Sequence, residues 1–201
     1  MWQALTDELA DDGRGGGLTT IAIAVDESAD DVRPWVEGVS MTVLLDRDRV
    51  FCDRYGVTNV PTVLWLDEDN QIVRPNSAAF GDDMFRDFHG IDSSIHHNAL
   101  RRWVLDDELP FTPDEVVERR IVPSAEEQRG RAEFRLAAWL LRTGRHDAGR
   151  EHLAAAGRLA PNDFTIWRAG LALSGDDPFG ARFFELYEAW KARTGGVLPS
   201  E

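Results

Sequence analysis

The chain has 201 residues, 43% hydrophobic and 29% charged, with a net charge of −14. That composition can fill a sizeable core and excludes a disordered chain, a collagen-like repeat and a disulfide scaffold. The acid is concentrated: residues 1–110 carry 22 acidic and 9 basic side chains, and the remainder is nearly balanced, so the first half repels phosphate backbones and general nucleic-acid binding is not expected.

The elements follow in chain order. Trp2, Leu5 and Leu9 recur at helical spacing and predict a helix over about 2–11, closed by the glycine-rich run Gly13–Gly17. No basic n-region or long apolar h-region precedes it, so no signal peptide is expected and the chain as written reads as cytoplasmic. No apolar run approaches the ~18–20 residues that cross a bilayer. Thr19–Val25 is β-branched and apolar and predicts a buried strand. Asp26-Glu27-Ser28 offers caps for a helix over Ala29–Val36. Thr42–Leu45 predicts a second strand, Arg47–Tyr55 a helix closed by Gly56, and Pro61–Leu66 a third strand. Asp67–Asn70 is a turn that leads into a hairpin partner, Gln71–Arg74. Residues 77–94 read as loop with a short helix near 83–88, and His97–Leu105 as helix. Alternating strands and helices predict an α/β unit with a largely parallel sheet and one antiparallel edge. Leu109–Pro113 reads as a linker, and Ile121–Ser124 ends the connection. Everything beyond is helical, which predicts domains at about 1–110 and 120–201.

Three ordered runs in the first half carry a resemblance. They are Leu45-Asp46-Arg47-Asp48, Tyr55-Gly56-Val57-Thr58-Asn59-Val60-Pro61-Thr62 and Leu66-Asp67-Glu68-Asp69-Asn70-Gln71-Ile72-Val73. Together this resembles the thioredoxin-like superfamily, in the branch of TlpA/ResA-type thiol-disulfide oxidoreductases, over roughly residues 1–105. The resemblance implies a thioredoxin-like sheet with flanking helices, and Pro61 as its cis-proline. It also implies that Val60, Pro61 and Thr62 bind an extended substrate, Val60 pairing with it through its backbone. The residues alone favour an ordinary trans proline opening a strand. The implied partner is a thiol or disulfide protein or peptide, with no cofactor.

The departure from the family is large. Its redox motif, W-C-x-x-C, and the central strand that carries it would precede the first helix, and this sequence contains neither. The expectation is therefore a reading frame that begins inside the domain, with a Cys or selenocysteine pair encoded upstream. An export signal or membrane anchor would then be missing too. Loss of a central strand also invites self-association through the incomplete sheet.

Cys52 is the single cysteine, so the chain holds no internal disulfide and no site built on several thiolates. A lone thiolate stops at the mixed disulfide for want of a resolving partner, and the neighbouring Asp53 carboxylate disfavours the thiolate. Cys52 reads first as a small buried hydrophobe and only second as a reactive thiol.

In the second half, Leu136, Ala137, Leu140, Gly144, Gly149, Leu153, Ala156 and Pro161 form a helix–turn–helix pattern of small contact residues. It is similar to one tetratricopeptide repeat, whose length is ~34 residues. A third helix over Phe164–Leu173 would pack on the pair. A fourth, over 179–194, carries Phe183, Phe184, Tyr187 and Trp190 as one stripe. One and a half repeats are too few for a solenoid, so the helices read as a cap on the α/β domain or as a peptide groove.

Other constellations are weak. His96 and His97 are adjacent and diverge on a helix, and His146 and His152 are six apart, so no metal site is expected. The run of glycines lacks the Lys-Ser/Thr of a phosphate loop, and Asp67–Asn70 is too short for a ~12-residue calcium loop. Two functions remain. One is a thioredoxin-like oxidoreductase lacking its redox pair and inactive as given. The other is a non-catalytic module that holds peptides through the Pro61 groove and the helices.

Overall fold

In a computed structural model, residues 2–10, 17–84, 86–120 and 122–196 are described. The expected end of the first helix at Asp11 and the glycines 13–16 lie outside them. The chain forms two compact units, Met1–Val50 with Pro61–Arg120, and Phe51–Val60 with Ile121–Glu201. Each is described by itself.

The first unit is mixed α/β. Helix α1 (Trp2–Glu8) leads to β1 (Ile21–Ala24), and α2 (Ala29–Val36) connects β1 to β2 (Thr42–Leu45). β1 and β2 pair in parallel, Ile21 opposite Thr42 through Ala24 opposite Leu45. The Ser28 hydroxyl accepts the Asp31 N–H and fixes the start of α2. α2 buries no side chain, and its Trp35 is 84% exposed. Strands β3 (Thr62–Leu66) and β4 (Ile72–Ala78) pair antiparallel, with Thr62 opposite Ala78 and Leu66 opposite Ile72. The turn between them is set by the Asp67 carboxylate, which accepts the Asp69 and Gln71 N–H groups, and by Asn70 at φ 60°. α4 (Arg86–His89), α5 (Ser93–Asp106) and α6 (Pro113–Glu118) complete the unit.

Three expectations are corrected here. The four strands make two separate two-stranded sheets, not one largely parallel sheet, because among the described residues no strand bridges the parallel pair to the hairpin. β4 continues to Ala78 where a loop was expected, since Thr62 and Val63 take Ala78 and Ser77 as ladder partners. The expected linker near 109–113 runs into a helix. Thr112 and Glu115 form a reciprocal capping box, and Pro113 occupies the first turn.

The core of this unit gathers Leu5 and Leu9, Trp65 of β3, and Ala99 and Leu100 of α5. The Trp65 ring stacks on Trp103 with centroids 5.0 Å apart. Arg74 of β4 is buried, its guanidinium 5.0 Å from the Trp65 ring and 5.5 Å from Phe111.

The second unit holds the short helix α3 (Val50–Tyr55) with α7 (Ala125–Arg142), α8 (His146–Leu159), α9 (Phe164–Leu173) and α10 (Ala181–Thr194). α7 starts with a second capping box, Ser124 with Glu127. α7 and α8 approach closely because small residues face each other. Ala137 and Ala156 are fully buried, and a Cβ on Gly149 would lie 2.6 Å from Leu141 Cγ. Phe134, Ala156, Ala160 and Ile166 form one cluster, and Phe164, Leu171, Phe183, Tyr187 and Trp190 a second. The expected four-ring stripe is thus three buried rings, with Phe184 half exposed, since a residue next to Phe183 is turned about 100° around the helix. Among the described residues no helix is long and apolar enough to cross a membrane.

Candidate functional site

Val60, Pro61 and Thr62, the expected substrate contacts, are consecutive but belong to different compact units. Val60 is half-buried and ends the segment grouped with the helices. Pro61 is exposed. It comes just before β3, where the missing proline N–H costs no ladder bond. Thr62 opens β3, half-buried and opposite Ala78. Among the described residues β3 has one strand partner, β4. A strand paired on one side presents main-chain donors and acceptors on the other, to which an extended chain can add.

The turn that follows α3 is fixed within the helical unit. α3 closes through the Val57 N–H to the Cys52 carbonyl at 2.9 Å, with Gly56 at φ 65°, a conformation that favours glycine. Arg131 of α7, 5% exposed, projects onto this turn. Its Nη1 donates to the carbonyls of Cys52 (3.4 Å) and Asp53 (3.5 Å), and its Nη2 to that of Val57 (3.5 Å). A cation thus meets the C-terminal carbonyls of a helix. Arg131 Nε also pairs with the Asp163 carboxylate at 3.2 Å. Asp163 accepts the Thr165 N–H at 3.0 Å and so caps α9. Burial pushes the Asp163 carboxyl up from the usual carboxylate range, against the bonds from Thr165 and the charge of Arg131 that pull it down. Beside them the Phe164 N–H donates to the Thr58 carbonyl at 2.8 Å, and Arg135 pairs with Asp53.

Cys52 lies on α3 and is buried, 3% exposed. A shielded thiol does not meet a protein disulfide without local opening. Among the histidines, His96 is buried on α5 and His152 pairs with Glu133 in the helical unit. No group of three or more His, Cys, Asp or Glu side chains among the described residues is placed to hold a metal ion.

The sequence reading passed over Arg131 and Asp163. The signal was present: Arg131 shares a helix face with Phe134 and Ala138, three and seven residues on, both buried. A charge on an apolar face points to a buried partner, but which carbonyls and which carboxylate it meets is a tertiary fact.

No family model, curated protein or solved structure matches this chain.

Proposed function

We propose that the chain is a thioredoxin-like protein of the TlpA/ResA type, and that these 201 residues by themselves carry no disulfide reductase activity. The ordered motifs from Asp46 to Val73 support the relationship. The observation that carries the inactivity is the state of the one cysteine: Cys52 is buried on α3 and has no second thiol to resolve a mixed disulfide. A disulfide-reduction assay with the 201-residue chain and dithiothreitol as donor tests this. The expected rate equals the donor-only background. Activity above background that survives Cys52→Ser overturns the reading.

A second reading has its own observation. β3 pairs on one side among the described residues and begins at exposed Pro61, which favours a module that holds an extended peptide by strand addition. The paired small-residue helices α7 and α8 support the likeness to a tetratricopeptide repeat, a fold element that also holds peptides. Titration with a labelled library of extended peptides should then show saturable binding that N-methylation of the peptide backbone weakens, by removing main-chain donors from the added strand. Binding unaffected by N-methylation would overturn strand addition.

A further inference from the structure

The α/β unit holds one buried histidine, His96, and two half-buried ones, His89 and His97, and the hydrogen bonds of His89 and His96 allow only the neutral ring. His96 of α5 is 4% exposed. Its Nε2 accepts the Trp65 indole N–H at 3.4 Å, so the ring hydrogen belongs on Nδ1, which is buried with no partner among the described residues. His89 of α4 accepts the Ile91 N–H on Nδ1 at 3.0 Å, stacks on Phe80 with centroids 3.7 Å apart, and has its Nε2 buried with no partner among the described residues. His97 bonds to the Phe80 backbone, which favours its charged form, and its Nε2 is buried with no partner among the described residues. Trp2 of α1 lies edge-on to both His96 and His97, at 5.8 and 5.4 Å.

A proton added to His96 or His89 must take the lone pair that now accepts Trp65 or Ile91. Two N–H groups would then face each other, and the new cation would have no acceptor. The charged groups around the cluster do not relieve this. Arg74 of β4 and His97 face His96 and oppose its protonation. Arg101 opposes that of His97, while the Phe80 backbone bond, Asp83 and Glu8 favour it. Asp83 faces His89 as well. Both carboxylates are already engaged, Asp83 with the Ser93 N–H at 2.9 Å and Glu8 with the Arg101 guanidinium at 2.7 and 2.8 Å.

We propose that His89 and His96 form an acid-operated release in the α/β unit: in mild acid their protonation breaks the Trp65–His96 and Ile91–His89 hydrogen bonds and frees α5 from β3. Burial is the first cause holding all three below the usual histidine range, and it takes His96 to about 3. The unfolded or opened chain takes those protons near pH 6.5. Opening is therefore opposed above pH 6.5 and favoured progressively as the pH falls toward 3. For His96 alone the opening equilibrium rises roughly thirtyfold between pH 7.5 and pH 5. This inference does not depend on the function proposed above.

Hydrogen exchange of the full chain at pH 7.5, 6.5 and 5, corrected for intrinsic rate, reads the opening segment by segment. The β3 and α5 amides should gain about thirtyfold or more relative to α7 and α8 in the same molecules. His96→Gln supplies a carbonyl acceptor for the Trp65 indole and cannot take a proton near neutrality, so its acid acceleration should fall by a similar factor. In case that variant does not fold, imidazole NMR of the native chain gives a second reading: His96 should stay neutral, with hydrogen on Nδ1, until α5 opens. Histidine signals that titrate near pH 6.5 while β3 and α5 exchange is unchanged would overturn the proposal. So would a folded His96→Gln variant that accelerates in acid as the native chain does.

Discussion

The two units differ in how they hold their buried titratable groups. In the helical unit the buried charges satisfy each other: Arg131 and Asp163 pair, and their remaining valences go to three carbonyls of the α3 turn and to the α9 cap. In the α/β unit His96 is buried among aromatic rings, and among the described residues His89, His96 and His97 each leave one nitrogen without a partner, whereas the unpartnered nitrogen of the helical unit, the Trp167 indole N–H, takes no proton. A satisfied network fixes one arrangement, whereas an unsatisfied one costs stability and makes the fold sensitive to a proton. The helical unit is thus built to be held, and the α/β unit to depend on conditions.

That contrast is broken most severely at Asp163. Asp163→Ala leaves the Arg131 charge buried without its carboxylate and uncaps α9, and should cost the helical unit about 3–5 kcal/mol in urea unfolding. Replacing Arg131 and Asp163 together with Met and Asn should cost less than Asp163→Ala alone, because no lone charge is then left inside. Gly149→Val tests the close approach of α7 and α8. A side chain there drives into Leu141, and a loss of about 1–3 kcal/mol is expected from the same measurement. The pH dependence separates the units directly. His96 has its folded value depressed to about 3, so its contribution is fully present above pH 6.5 and is lost as pH falls toward 3. The loss is about 1.4 kcal/mol per pH unit within that window. The urea unfolding free energy followed at β3 and α5 should fall by about 1 kcal/mol between pH 6 and pH 5, while His96→Gln removes the change. The smallest effect belongs to α2. Trp35→Ala removes a ring that is 84% exposed and should change stability by less than about 0.5 kcal/mol.

Local signals carried much of the fold. Ser28 and the apolar runs located α2 and β2 with their observed ends, and the helical run after Pro161 located α9. The capping box at Thr112 was equally local and was read as linker, because Pro110 and Pro113 drew attention to the turn before it. What the sequence did not reveal is pairing at a distance. Whether β1–β2 and β3–β4 join into one sheet depends on a bridging strand, and no property of either pair states it. The same holds for the candidate site. The order Val60-Pro61-Thr62 was legible, but the carbonyls that Arg131 holds at Cys52, Asp53 and Val57 are some 74–79 residues away in sequence. His96 fell just outside the helix expected over His97–Leu105, so neither its alignment with Ala99, Leu100 and Trp103 nor its bond to the Trp65 indole was legible.

The membership of residues 51–60 in the helical unit bears on how the molecule can be taken apart. The chain passes between the two units three times, near residues 50, 60 and 120. A single protease cut between α6 and α7 therefore severs the backbone without liberating either half. A fragment beginning at residue 120 would lack the Cys52, Asp53 and Val57 carbonyls that Arg131 uses and the Thr58 carbonyl that receives Phe164. The helical half is a separable domain only as two pieces of chain, and residues 51–60 are the strip that has to travel with it.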